Sequence, residues 1–105
     1  MPFNPNIDNS ISLEDAAKIT ANFRQAFPSA VIANAYGKRL MMALLAQEDC
    51  AGFRIYNGLD GEGAQQLILV AVDANGNDLY QGVLMDQTQP CPNVCSTANP
   101  LNTNT

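Results

Sequence analysis

Gln66-Leu67-Ile68-Leu69-Val70-Ala71-Val72-Asp73-Ala74-Asn75-Gly76-Asn77-Asp78 is the stretch that decides the fold. Residues 67–72 are apolar without interruption and are bounded by polar turn formers, the pattern of a strand buried on both faces. Asn75-Gly76 behind them is a strong hairpin signal, because both central positions of a tight hairpin turn favour left-handed backbone. Residues 66–73 are therefore predicted to be a central strand, and residues 78–85 the strand that returns beside it. Upstream, Phe53 and Ile55 alternate with Arg54 and Tyr56. That period of two marks a first strand running into the turn-rich Asn57-Gly58-Leu59-Asp60-Gly61-Glu62-Gly63. Together the three make an antiparallel meander.

Before Cys50 the apolar period is 3.6. Ser12 opens a helix: its hydroxyl can cap the orphan amides, Asp15 can reach back from three positions on, and Glu14 and Asp15 suit the positive helix end. Leu13, Ala16, Ile19, Phe23 and Phe27 form one apolar stripe that stops at Pro28. A second helix is expected over residues 30–47, capped by Ser29, with Tyr36, Leu40, Ala43, Leu44 and Gln47 along one side. Met41 and Leu45 widen that face, and Met42 is left for a partner. Gly37 then falls inside the helix, where it costs about 1 kcal/mol relative to Ala; close packing is its expected use. The expected fold class is α+β, with two helices packed on one face of a three-stranded antiparallel meander. Composition divides the chain into an N-terminal arm (1–11), a single domain (12–86) and a C-terminal tail (87–105).

At 105 residues, 47% of them hydrophobic, the chain has room for one core. Ten acidic against five basic residues give a formal net charge of −5, and the cations Lys18, Arg24, Lys38, Arg39 and Arg54 are scattered. Nucleic acid and anionic membrane surfaces are thereby disfavoured as partners, since both call for a concentrated basic face. No apolar run approaches the roughly 20 residues of a bilayer span, so membrane insertion is not expected. The amino terminus has neither a basic nor an apolar region of signal-peptide kind, so no secretory signal is expected in it.

The chain has no histidine, which removes the commonest general base and the commonest nitrogen metal ligand. Two of its three cysteines lie in the tail, Cys91-Pro92-Asn93-Val94-Cys95. They can be read as a structural disulfide, as free thiols, as a redox pair, or as metal ligands. The redox reading lacks the helix start that lowers a thiol pKa. Even with Cys50, the metal reading falls short of the four ligands of structural zinc. The disulfide of Cys91 with Cys95 is favoured, with Cys50 as an alternative partner for either; otherwise Cys50 reads as a small buried hydrophobe. A calcium reading of residues 73–78 has its glycine at the wrong position, and the hairpin accounts for every residue. Asp60 and Glu62 could work as acid and base only if a pocket raised one pKa. No catalytic, metal-ligating or cofactor-binding residue is expected. Cysteines in a proline-rich tail point towards an oxidising compartment, extracellular or periplasmic, although three are too few to decide.

Four segments carry a resemblance: Ser12-Leu13-Glu14-Asp15-Ala16-Ala17, Ala43-Leu44-Leu45-Ala46-Gln47, Arg54-Ile55-Tyr56-Asn57-Gly58-Leu59-Asp60, and the tail from Cys91-Pro92 to Asn99-Pro100-Leu101. With the hairpin Val72 to Leu79, they make the chain resemble a family of small uncharacterised bacterial proteins with a helical first half, a β-meander and a cysteine-proline tail. The resemblance runs from Ile11 onward and implies a fold; it implies no site residue.

Ordering the polar tail costs more conformational entropy than Val94, Ala98 and Leu101 can return by burial, so an ordered tail needs backbone hydrogen bonds on a sheet edge or in a groove. The expected function is that of a non-catalytic structural or interaction protein. It is expected to associate with copies of itself, as a homo-oligomer or filament, through its arms and sheet edges. Phe3, Ile7, Val94, Leu101, Met42 and Tyr80 are the interface candidates. Two other readings stand beside it: a ligand- or protein-binding module using the sheet face around Phe53, Tyr56 and Tyr80, and a thiol redox protein at Cys91 and Cys95.

Overall fold

A computed structural model describes residues 3–103; Met1, Pro2, Asn104 and Thr105, the tips of the two expected arms, lie outside the described residues. The elements in chain order are α1 (Leu13–Ala26), β1 (Ala33–Ala35), α2 (Lys38–Leu45), β2 (Gly52–Leu59), β3 (Gln65–Val72), β4 (Leu84–Met85) and β5 (Gln89–Cys91). The fold is α+β, with a three-stranded antiparallel sheet in the order β2-β3-β4 and a small two-stranded sheet of β1 and β5. The chain forms two compact units, Met1–Ile7 with Tyr36–Thr88 and Asp8–Ala35 with Gln89–Thr105. α1 thus groups with the tail, and the sheet with α2.

In the first unit β3 is the central strand, as its unbroken apolar run requires, and Leu69, Val70, Ala71 and Val72 are all buried. Its register with β2 is one-to-one over eight residues, from Gly52 opposite Val72 to Leu59 opposite Gln65. Alternation puts Phe53, Ile55, Asn57 and Leu59 on one face with Ala71, Leu69, Leu67 and Gln65. On that face Leu44 of α2 packs with Leu69, Ala71 and Met85. Leu44, Leu69 and Val72 are fully buried, and burial of each such side chain stabilises by about 1.5–3 kcal/mol. Tyr36 supports the cluster from the loop before α2 by donating its hydroxyl to the Leu67 carbonyl. Phe3 lies over the strand ends. A Cβ on Gly76 would stand 2.7 Å from that of Phe3, and Gly76, at φ +84°, has the left-handed backbone the hairpin requires.

Two expected elements are shorter than their periodicity implied. The second helix covers Lys38–Leu45, not residues 30–47. Its N-cap is Gly37, which has nothing within 4 Å of a Cβ and so serves no close packing. Residues 33–35 are instead strand β1, paired antiparallel with β5. The return strand covers only Leu84–Met85, preceded by a single bridge between Val72 and Asp78. Between them Gln47 intrudes: its Oε1 accepts the Val83 N–H at 2.9 Å and lies 2.0 Å from where a Gly82 Cβ would be. Leu79 still donates its N–H to the Ala71 carbonyl at 2.8 Å, and residues 80–82 then turn off the ladder, the Gly82 N–H reaching the Leu79 carbonyl at 3.1 Å and Tyr80 standing exposed.

In the second unit Ser12 caps α1 as expected, accepting the Asp15 N–H at 3.0 Å. β5 lies along β1 with Ala33 opposite Cys91 and Ala35 opposite Gln89, and the Ile32 N–H reaches the Cys91 carbonyl at 2.9 Å. Cys91 is buried and bonded to Cys95, which leaves Cys50 as the free thiol.

Candidate functional site

The outer edge of β2 is an open edge of the sheet in the first unit. It has eight residues, and among the described residues no strand pairs with its outer side. Edge strands usually carry a lysine, a proline or a bulge that blocks pairing with another chain. β2 has none of these. Its exposed side chains include Phe53, Ile55, Tyr56 and Leu59, the last 77% exposed. α2 makes its sheet contacts with β3 and β4, so the apolar side chains of β2 on the same face are left uncovered.

The one charge on β2, Arg54, is held within its own unit. Arg54 donates to one Asp78 carboxylate oxygen and Tyr56 to the other, so Asp78 ties together two residues on one face of the strand. The Tyr56 hydroxyl, followed by the Arg54 guanidinium, holds the Asp78 carboxyl below its ordinary value. The same hydrogen bond pushes the Tyr56 phenol up. Spacing i, i+2 on a strand signals that Arg54 and Tyr56 share a face, but their common partner was not legible in sequence. Phe53 and Tyr56, three apart, fall on opposite faces; the structure does not bring Phe53, Tyr56 and Tyr80 into one aromatic platform.

The turn acids serve the backbone. Asp60 accepts the N–H groups of Glu62 at 2.8 Å and Ala64 at 2.9 Å, and these bonds lower its pKa, the opposite of what a general acid needs. Asp73 accepts the N–H groups of Asn75 at 2.9 Å and Asn77 at 3.0 Å and closes the hairpin. The Cys50 thiol is half-buried and donates to the Gly52 carbonyl at 3.3 Å. Among the described residues no three His, Cys, Asp or Glu side chains stand close enough to hold a metal, and no helix is long and apolar enough to cross a membrane.

In the second unit the largest apolar side chains of α1 face outward. Leu13 is 60% and Ile19 58% exposed, and Phe27 at the C-cap 56%, while the half-buried residues are Ala16, Ala17, Thr20, Ala21 and Arg24. No residue of the helix is fully buried. Phe23 and Phe27 pack on each other, their ring centres 5.1 Å apart. Between α1 and the tail lies a groove of about 280 Å³ lined by Ile19, Thr20, Phe23, Arg24, Ile32 and Leu101. Arg24 crosses it to donate to the Leu101 carbonyl at 2.7 Å.

The tail is seated on its own chain. Beyond the disulfide, Asn99 and Asn102 brace each other: Asn102 Oδ1 accepts the Asn99 N–H at 2.9 Å, and Asn99 Oδ1 accepts the Leu101 N–H at 2.8 Å. Both side-chain amides donate to the Thr97 carbonyl. The sequence reading gave these two asparagines no role of their own; Asn-Pro-x-Asn, with two turn-forming amides three apart, is the signal that carries them. Neither Cys91 nor Cys95 lies at the start of a helix, so no helix dipole tunes either thiol.

Of the interface candidates, Ile7, Met42, Tyr80, Val94 and Leu101 are exposed, and Phe3 is half-buried against Gly52 and Gly76. No protein-family model, curated protein or solved structure matches this chain.

Proposed function

We propose that this chain is a non-catalytic interaction protein that associates with copies of itself. The observation that carries this reading is α1, a capped, amphipathic helix of 14 residues whose large apolar side chains are exposed while its small ones are half-buried. Most helical stability in proteins comes from packing an apolar face, and a helix of this length is marginal in water without it. The tail is engaged by β1 and by Arg24, which shifts the reading from the terminal arms to α1 and the sheet edge as the surfaces offered to another chain.

Light scattering coupled to size exclusion, from micromolar to millimolar protein, tests it. The mass is expected to rise above that of one chain as concentration rises, and Phe27→Ser is expected to weaken the rise. A mass fixed at one chain throughout refutes the reading. The groove beside α1 favours a second one, a small apolar ligand; its volume of about 280 Å³ is just under the range of ligand pockets, about 300 to 1,000 Å³.

A further inference from the structure

We infer that the partner at the β2 edge is the β2 strand of a second copy, paired antiparallel about a two-fold axis through Tyr56; the inference rests on the self-association proposed above.

Three observations select that occupant. The chain carries a net charge of −5, yet between Asp49 and Asp60 there is no acidic residue. Two copies can therefore approach along β2 without bringing carboxylates together. The single charge in that interval, Arg54, is already bonded to Asp78. The strand is also self-complementary. A two-fold through Tyr56 sets Phe53 opposite the partner's Leu59, Ile55 opposite the partner's Asn57, and Arg54 opposite the partner's Gly58. No like charges meet, and the two largest exposed apolar groups of one face cover each other twice.

Size sets the strength. An aromatic side chain offers 150–250 Å² in all, so the exposed fractions of Phe53 (44%) and Tyr56 (48%) amount to roughly 140–230 Å² per copy. Ile55, Leu59 and the open backbone edge add to this, but the pairing stays in the low size class, below about 1,200 Å² in total. The dimer is therefore one that forms at micromolar concentration or above and dissociates on dilution, with its sheet extended from three strands to six.

The experiment uses the full chain. Sedimentation across a concentration series is run on the wild type, on Ile55→Lys, and on Ala74→Lys as a control for added charge at an exposed turn. Thermal melts confirm that the variants are folded. In a Cys50→Ser background, Tyr56→Cys and Ile55→Cys are compared for cross-linking under mild oxidation. Directly opposed Cβ atoms stand about 4.5–5.5 Å apart, near the range a disulfide spans. The expected result is a concentration-dependent dimer weakened at least tenfold by Ile55→Lys and unaffected by Ala74→Lys. Tyr56→Cys is expected to cross-link faster than Ile55→Cys. If the chain associates but Ile55→Lys changes nothing and neither cysteine cross-links, the β2 pairing is overturned while self-association stands. Preferential cross-linking of Ile55→Cys overturns the two-fold through Tyr56. A monomer at every concentration overturns both.

Discussion

Gly37→Ala separates two readings of the middle of the chain by the sign of its effect. Inside a helix running over residues 30–47, replacing glycine by alanine removes the entropy penalty of glycine and stabilises by about 0.5–1 kcal/mol. In the structure Gly37 is the N-cap of α2, with extended backbone (φ −72°, ψ 146°) and nothing within 4 Å of a Cβ, so alanine fits without a clash. Glycine is a far better N-cap than alanine, and the substitution costs about 0.3–1 kcal/mol. The readings thus differ by roughly 1–2 kcal/mol, which for a domain of 60–100 residues is about 4–16 °C in Tm. Gly37→Ser supplies the missing side-chain acceptor and is expected to gain a few tenths of a kcal/mol. Urea unfolding followed by far-ultraviolet circular dichroism measures both. A stabilising Gly37→Ala refutes the cap, and with it strand β1, because a helix through residues 33–35 leaves β5 nothing to pair with.

Leu44→Ala is expected to cost about 2–5 kcal/mol, since Leu44 is fully buried among Leu69, Ala71 and Met85. Met42→Ala, exposed on the same helix, is expected to stay within about 0.5 kcal/mol; equal effects in urea melts contradict the packing of α2. The Asp78 carboxyl titrates below its ordinary value of 3.8 in the folded chain, so the unfolded chain binds its proton more readily. That contribution to stability is complete above the unfolded value and is lost as pH falls through the folded one; in acid titrations of the urea midpoint, Asp78→Asn is expected to flatten part of the loss below about pH 4. Reducing the Cys91–Cys95 bond, which closes a short loop, is expected to cost about 2 kcal/mol. Hydrogen exchange is expected to quicken at the Ile32 and Val94 amides and not in β2 or β3, a pattern that uniform loss of protection contradicts.

What the sequence displayed well was local. The unbroken run at residues 67–72 and the Asn75-Gly76 turn identify the central strand and its hairpin, and Ser12 with its stripe identifies α1, because propensity, capping and periodicity agree there. Residues 30–37 suit a helical reading because Ser29 offers a cap and Tyr36 falls on one face with Leu40, Ala43 and Leu44. What makes 33–35 a strand is β5, far along the chain, and a non-local partner leaves no local mark. The return strand was shortened by the Gln47 amide, again from a distant element. The outward turn of α1 was equally hidden: periodicity names an apolar face but not what covers it.

Ala35 and Gln89 are Cα partners in the small sheet, so the chain leaves for residues 36–88 and comes back at nearly the same point, about 5 Å away. Residues 36–88 thus have the anchoring of a cassette, whose length can change at its exposed turns without respacing the two strands that flank it. The reverse dependence also holds. Pairing β1 with β5 closes a loop of residues 36–88, and the closure entropy is smaller when the core of those residues already holds them compact. The placement of the cysteine tail thus depends on a hydrophobic cluster to which the tail contributes no residue.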